Sequence, residues 1–358
     1  MTKVRHDVLP SPDVNWDRST IAGGPDRLVV AVLASDDHYL TPTYRIQEFD
    51  PVRWRWVRRP EAKGVPQVVP RGLVTTYFRC GPPEGELGNQ RCDVMVGRLP
   101  DGADRWAVER VSKRREWVHE GTPPSAVGVS GAEAVFNGDL STGRPLAVSL
   151  DGVRRLPRGP VVEGPGILGA HLRRERQVSC ILDRRWYEVL GDGQVTNGLG
   201  PGITYVRWLD LIRPGAQWTK PIRAVVPEGA SASVTYGCRR SGPLAYLSPR
   251  TYEWRDGGWK VLFETGTPAS VSGPAQEVVT AAVPVVDGYR TAPPPGDRAA
   301  ALAAPPLWFL RTTGFESVPG DPKLKAAYPS PNLVRLGTLV VGLIDAPGGP
   351  ELRVLRPN

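Results

Sequence analysis

The chain has 358 residues, 40 of them Gly and 38 Pro, with 45 Lys plus Arg against 37 Asp plus Glu and a formal net charge of +8. This length supports a sizeable core, eleven Trp argue against disorder, and Gly or Pro interrupts nearly every window in which an amphipathic helix could run. No stretch approaches the roughly 20 apolar residues of a membrane-spanning helix.

Residues 1–25 are polar and Pro-rich and read as an N-terminal arm; residues 26–358 read as one domain. The opening MTKVRHDVLPSPDVNWDR has no apolar core of a secretory leader, so a cytoplasmic location is the expectation. Leu28 to Leu33 is a continuous apolar run of the kind a strand buried on both faces shows. A hairpin follows, from Tyr44 to Phe49, through Asp50-Pro51, to Trp54–Val57. The second unit opens with Leu73–Phe78 and continues from Val94 through an Asp101-Gly102 turn to Trp106–Val108. The third holds Ala134–Phe136, Leu146–Leu150, an Asp151-Gly152 turn and Val153–Leu156. A fourth is read over Ile167–Leu190 and a fifth from Ile203 to Trp218. The sixth, from Ser233, contains the clearest hairpin, Leu244 to Gly266. Aromatic and β-branched runs there flank Asp256-Gly257-Gly258, and Asp-Gly is a strong hairpin signal because both residues tolerate positive φ. Beyond residue 275 the pattern blurs, until a last hairpin between Leu333 and Leu355.

Two phrases recur. Gly121-Thr-Pro-Pro-Ser-Ala-Val127 nearly repeats as Gly266-Thr-Pro-Ala-Ser-Val271, and Gly164-Pro-Gly-Ile167 as Gly200-Pro-Gly-Ile203. Short strands in units of about 30–60 residues, each with a repeated phrase, point to an all-β fold: a β-propeller of four-stranded antiparallel blades. Seven blades fit best, with six or eight as alternatives. The hairpin rhythm, a Tyr before the turn and a Trp after it, then a Gly-Pro phrase, resembles Kelch-type blades over residues 26–275, without the paired glycines of a Kelch strand. That resemblance implies a fold and no chemistry.

The charge raises nucleic acid as a partner. Acidic residues are interspersed among the basic ones, however, and the dense clusters are short: Arg53, Arg55, Arg58 and Arg59, then Lys113, Arg114 and Arg115. Arginine-rich coding of the high-GC bacterial kind offers a bland origin for the surplus, so a polyanion-binding module ranks third among the functions and nucleic acid is not expected. Cys80, Cys92, Cys180 and Cys238 lack the spacing of a zinc site. Cys80 and Cys92 flank a possible hairpin loop, yet free thiols are the expectation for a cytosolic chain. No cofactor motif, nucleophile elbow or P-loop is present. His38 beside Asp36 and Asp37, and His171, are the candidate acid/base residues of a propeller enzyme of specialised metabolism, a lyase, cyclase or hydrolase. The stronger lead is a recurring pair, Tyr77 with Arg79, Tyr205 with Arg207, and Tyr236 with Arg239. An aromatic ring beside a guanidinium stacks and clamps a planar anion, so a small anionic or aromatic ligand, or a protein partner, is expected at the mouth of a propeller channel. The same residues read structurally as core tyrosines and paired arginines.

Overall fold

The computed structural model describes residues 9–10, 12, 19–24, 27–35, 42–82, 90–111, 116–118, 126–137, 144–165, 171–173, 175–182, 184–191, 203–226, 235–239, 242–247, 250–264, 289–290, 308–311, 314–317, 325–326, 333–336, 339–346 and 349–355. The regular structure of these residues is strand throughout.

The first sheet runs β1 (Ser19–Gly23), β2 (Leu28–Ser35), β3 (Thr43–Asp50), β4 (Arg55–Lys63), each antiparallel to the next. The second is β5 (Gln67–Val69), β6 (Gly72–Cys80), β7 (Gln90–Pro100) and β8 (Ala107–Arg110), with β9 (Glu116–Val118) also on β7. The third is β10 (Ala126–Ser130), β11 (Glu133–Phe136), β12 (Leu146–Val148) and β13 (Val153–Arg155). A short pair, β14 (Glu163–Pro165) and β15 (His171–Arg173), precedes β16 (Glu175–Leu182), β17 (Arg185–Gly191), β18 (Ile203–Asp210) and β19 (Ile222–Val225). Next come β20 (Thr235–Arg239), β21 (Gly242–Leu247), β22 (Arg250–Arg255) and β23 (Gly258–Glu264). The three-stranded β24 (Tyr289–Arg290), β25 (Trp308–Arg311), β26 (Gly314–Ser317) follows, then β27 (Lys325–Ala326), β28 (Leu333–Leu336), β29 (Leu339–Ala346) and β30 (Gly349–Leu355).

The turns follow from their residues. Asp256 and Gly257 have φ of 52° and 75°, the left-handed pair of a type I′ hairpin, and they set Trp254 directly opposite Trp259. Between β3 and β4 the Asp50 carboxylate accepts the backbone N–H groups of Val52 and Arg53 at 2.9 and 3.0 Å, an Asx turn. The Arg53 N–H bond holds the Asp50 carboxyl below its ordinary range.

Two compact units emerge, residues 1–158 with 327–358, and residues 159–326. Strand alternation decides the first unit's packing. One face of β2 sends Leu28, Val30 and Val32 against Leu9, Ile21, and Val341 and Leu352 of the C-terminal hairpin. The other face sends Val29, with Ile46 and Ala62, against Val68, Leu73 and Leu99 of the second sheet. The far side of that sheet, through Val74, Phe78, Val94 and Val96, meets Ala134, Phe136, Leu146 and Val148 of the third. Within this unit the sheets thus stack face to face in chain order, with the C-terminal hairpin on the N-terminal sheet. In the second unit, β17 and β18 contribute Val189 and Val206 to a core shared with Tyr236, Ala245, Tyr252, Trp254 and Trp259. Four-stranded meanders stacked on one another are how a β-propeller is built, and the fold class is the all-β propeller expected from the hairpin rhythm.

Three details depart from the sequence reading. Ser19–Gly23, inside the stretch read as an arm, is the first strand of its sheet. Ile203–Trp208 opens no fifth unit: β18 pairs with β17 from Arg185↔Asp210 to Gly191↔Thr204, so the Gly-Pro phrase before it joins two strands of one sheet. The expectation of free thiols is corrected: Cys80 and Cys92 form a disulfide, Cys180 is also disulfide-bonded, and none of the described cysteines is free. Antiparallel register sets Cys80 opposite Cys92 across β6 and β7, where the two Cβ atoms come close enough to bridge.

Candidate functional site

β6 and β7 build the best-defined polar cluster among the described residues. β7 reads Cys92-Asp93-Val94-Met95-Val96, a carboxylate set in an apolar strand. Asp93 is 2% exposed, and a buried carboxylate requires a cationic partner. It has two. Arg79, directly opposite on β6, donates Nη2 to Oδ2 at 3.2 Å, and Nη2 of Arg110 on β8 lies 2.9 Å from Oδ1. The Arg79 and Arg110 side chains are 60% and 43% exposed. One buried carboxylate therefore orients two guanidiniums that still present N–H donors to solvent.

Tyr77 completes the cluster. It lies two residues before Arg79, on the same face of β6, and pairs with Met95, which in turn pairs with Arg110. It is buried, and burial raises its hydroxyl above the usual tyrosine range against a smaller opposing pull from Arg79. The phenol is thus a neutral hydroxyl at every physiological pH. The backbone beside it is tightly held. Gly64 has φ of 73°, its N–H donates to the Pro42 carbonyl at 2.8 Å, and a Cβ there would sit 2.2 Å from the Thr76 carbonyl oxygen. Thr75 Oγ1 donates to the Lys63 carbonyl at 2.8 Å. The end of β4 is in this way seated on the middle of β6.

The second Tyr/Arg pair is used differently. Arg207, on β18, is 7% exposed. Its Nε and Nη2 donate to Glu188 Oε2 at 2.9 and 2.6 Å, Nη1 donates to the Pro160 carbonyl, and the guanidinium lies 4.8 Å from the Trp218 ring centre. Arg176 adds a contact to Glu188 Oε1 at 3.4 Å. Tyr205 is half-buried, opposite Leu190 and Arg223. Tyr236, on the first strand of its sheet, is a core residue whose ring centre lies 6.1 Å from that of Trp259, and burial raises its hydroxyl far above the usual range. Arg239 stands opposite Gly242 in the β20–β21 register, and its side chain lies outside the described residues. So the three pairs occupy the second, third and first strands of their sheets.

His171 begins β15 opposite Pro165, with its side chain outside the described residues. Asp36, Asp37 and His38 also lie outside them. Among the described residues no group of three His, Cys, Asp or Glu is placed to hold a metal ion. Asp93 and Arg110 were missed from the sequence, although an Asp inside an apolar strand was the available signal.

Neither a family model nor a curated protein sequence matches the chain. Two solved structures are similar in outline. The β-propeller domain of the trilobed protease from Pyrococcus furiosus, with an open velcro topology, aligns at 9% identity and a TM-score of 0.45, over 95% of both chains. The α-L-arabinanase of Penicillium chrysogenum, solved with arabinobiose, aligns at 10% identity and a TM-score of 0.38, over 98% of this chain and 96% of that one. Likeness this distant says nothing of activity.

Proposed function

We propose that this chain is a ligand-binding propeller that takes a small planar anion, an aromatic carboxylate or phosphate, at Tyr77, Arg79, Asp93 and Arg110. The observation that carries the reading is the pair of half-exposed guanidiniums fixed on one buried carboxylate. Both guanidiniums are positioned on the carboxylate before any ligand arrives, which lowers the ordering cost of binding. Of the three Tyr/Arg pairs, Tyr77 and Arg79 carry the proposal. Arg207 already spends its donors on Glu188 and Pro160.

Titration calorimetry with phenyl phosphate and with inorganic phosphate tests it. Saturable binding of phenyl phosphate is expected, tighter than that of phosphate, and weakened about tenfold or more in Arg79→Ala and in Arg110→Ala, the size of one charge-assisted contact. Equal binding by the wild type and both variants removes this site from consideration.

A further inference from the structure

We propose that this chain matures in an oxidising compartment and carries its disulfides as permanent parts of the fold. The chain has four cysteines, and all three whose side chains are described are bonded: Cys80 to Cys92, and Cys180. Cys92 is fully buried among Phe78, Val94 and Ala134, and Cys180 is buried too. Cys80 is only half-buried. A bond with one half-open end is accessible to the thiol pool of a reducing cytosol, where such disulfides do not persist, whereas outside it they do.

The bond also has mechanical work. It closes the end of the β6–β7 ladder, where the next pair is Arg79↔Asp93 and where Gly81 N–H still donates to the Arg91 carbonyl at 2.9 Å. Cross-linking there shortens the freedom of the unfolded chain and holds Arg79 opposite Asp93. Formation proceeds by exchange with a donor disulfide of the glutathione or protein-disulfide class. One cysteine thiolate attacks a donor sulfur and expels a donor thiolate, and the second cysteine then attacks the mixed disulfide. Two electrons and the two thiol protons pass to the donor, which leaves as two thiols.

The full chain, purified and equilibrated in glutathione buffers rich in either the disulfide or the thiol form, is alkylated and weighed, and its thermal midpoint is followed. The expected result is no alkylated cysteine in the disulfide-rich buffer, four in reductant after unfolding, and a midpoint roughly 5 °C higher when oxidised. The double variant C80S/C92S should lose part of that difference in the oxidising buffer, where the bond at Cys180 remains, and match the wild type in the reducing one. Free Cys80 and Cys92 thiols in the disulfide-rich buffer, or equal midpoints for C80S/C92S and the wild type there, overturn the proposal.

Discussion

Tyr77–Arg79 and Tyr205–Arg207 have the same spacing on two strands, and the molecule uses them in opposite senses. In the first pair the tyrosine is buried and the arginine looks outward; in the second the arginine is buried and the tyrosine is half-exposed. The difference lies in the carboxylate and in what covers it. Asp93 is short, so Arg79 must reach inward from a solvent-facing position at the end of the ladder. Glu188 is longer and meets Arg207 beneath the Pro160 carbonyl and the Trp218 ring, inside a closed layer. A cation sealed in this way is structural. One anchored at its root and open at its tip leaves N–H donors facing solvent.

The largest expected effect breaks the sealed pair. Among the described residues Arg207→Ala leaves the buried Glu188 with Arg176 as its remaining cation, at 3.4 Å, and breaking a buried pair costs about 4 kcal/mol. Urea unfolding should show that loss, and Arg207→Leu with Glu188→Leu should recover most of it. A single-variant loss below about 1 kcal/mol would place Arg207 at an exposed surface pair.

Next is the aromatic core of the same unit. Trp259 packs edge-on to Trp254 at 5.4 Å between ring centres and donates its indole N–H to Thr204 Oγ1 at 2.8 Å. Trp259→Ala removes the ring and leaves Thr204 without its donor, for an expected loss of about 3 kcal/mol. Trp259→Phe should keep most of the packing, so its smaller loss isolates the hydrogen bond. Equal losses in the two variants would sink that division.

This hairpin was the most legible part of the sequence, because Asp256-Gly257 dictates a two-residue turn and the turn dictates that Trp254 faces Trp259. The stacking order was legible for a similar reason: Leu28 to Val32 are apolar on both faces, so something must cover each side. Burial of one arginine and exposure of the other was not legible. Alternation places Arg79 with Tyr77 and Arg207 with Tyr205, but not the sheet or loop that closes over them. Pro160 is remote in sequence from Arg207, and nothing local says that the nearby Trp218 ring closes over it. The Cys80–Cys92 bond was visible as a hairpin geometry and was set aside on an expectation about compartment.

A smaller effect tests an ion pair of intermediate character. Arg27, nearly buried, donates two hydrogen bonds to Asp101 at 2.6 and 2.9 Å and lies 3.3 Å from Glu48, so it ties the first sheet to the turn of the second. The Arg27 hydrogen bond outweighs burial and holds the Asp101 carboxyl below the usual range. A depressed folded pKa means that the contribution is complete above the unfolded value, about 3.9, and fades as pH falls through the lower, folded one. Asp101 is half-exposed, so solvent screening limits the contribution to about 1 kcal/mol. The stability gap between the wild type and Asp101→Asn should hold at pH 7 and close in the acid range below pH 4. A gap that persists unchanged to pH 2 would mean that the pair contributes through shape and not charge.

The smallest change in stability is expected at the open pair, and there it is most informative. Arg79→Ala removes one cation from Asp93, but Arg110 stays 2.9 Å from the carboxylate, and the lost side chain was mostly in water. Its stability cost should be under about 1 kcal/mol. If the open tip of Arg79 exists for binding, the same substitution lowers phenyl phosphate affinity by more than it lowers stability. Arg79→Lys separates charge from geometry: a lysine can still pair with Asp93 as a point charge, but it cannot offer a planar fork to a carboxylate or phosphate. Lysine should therefore keep the stability and lose much of the affinity. Should Arg79→Ala destabilise as strongly as Arg207→Ala, the two pairs do the same structural job, and the contrast between a sealed and an open arginine disappears.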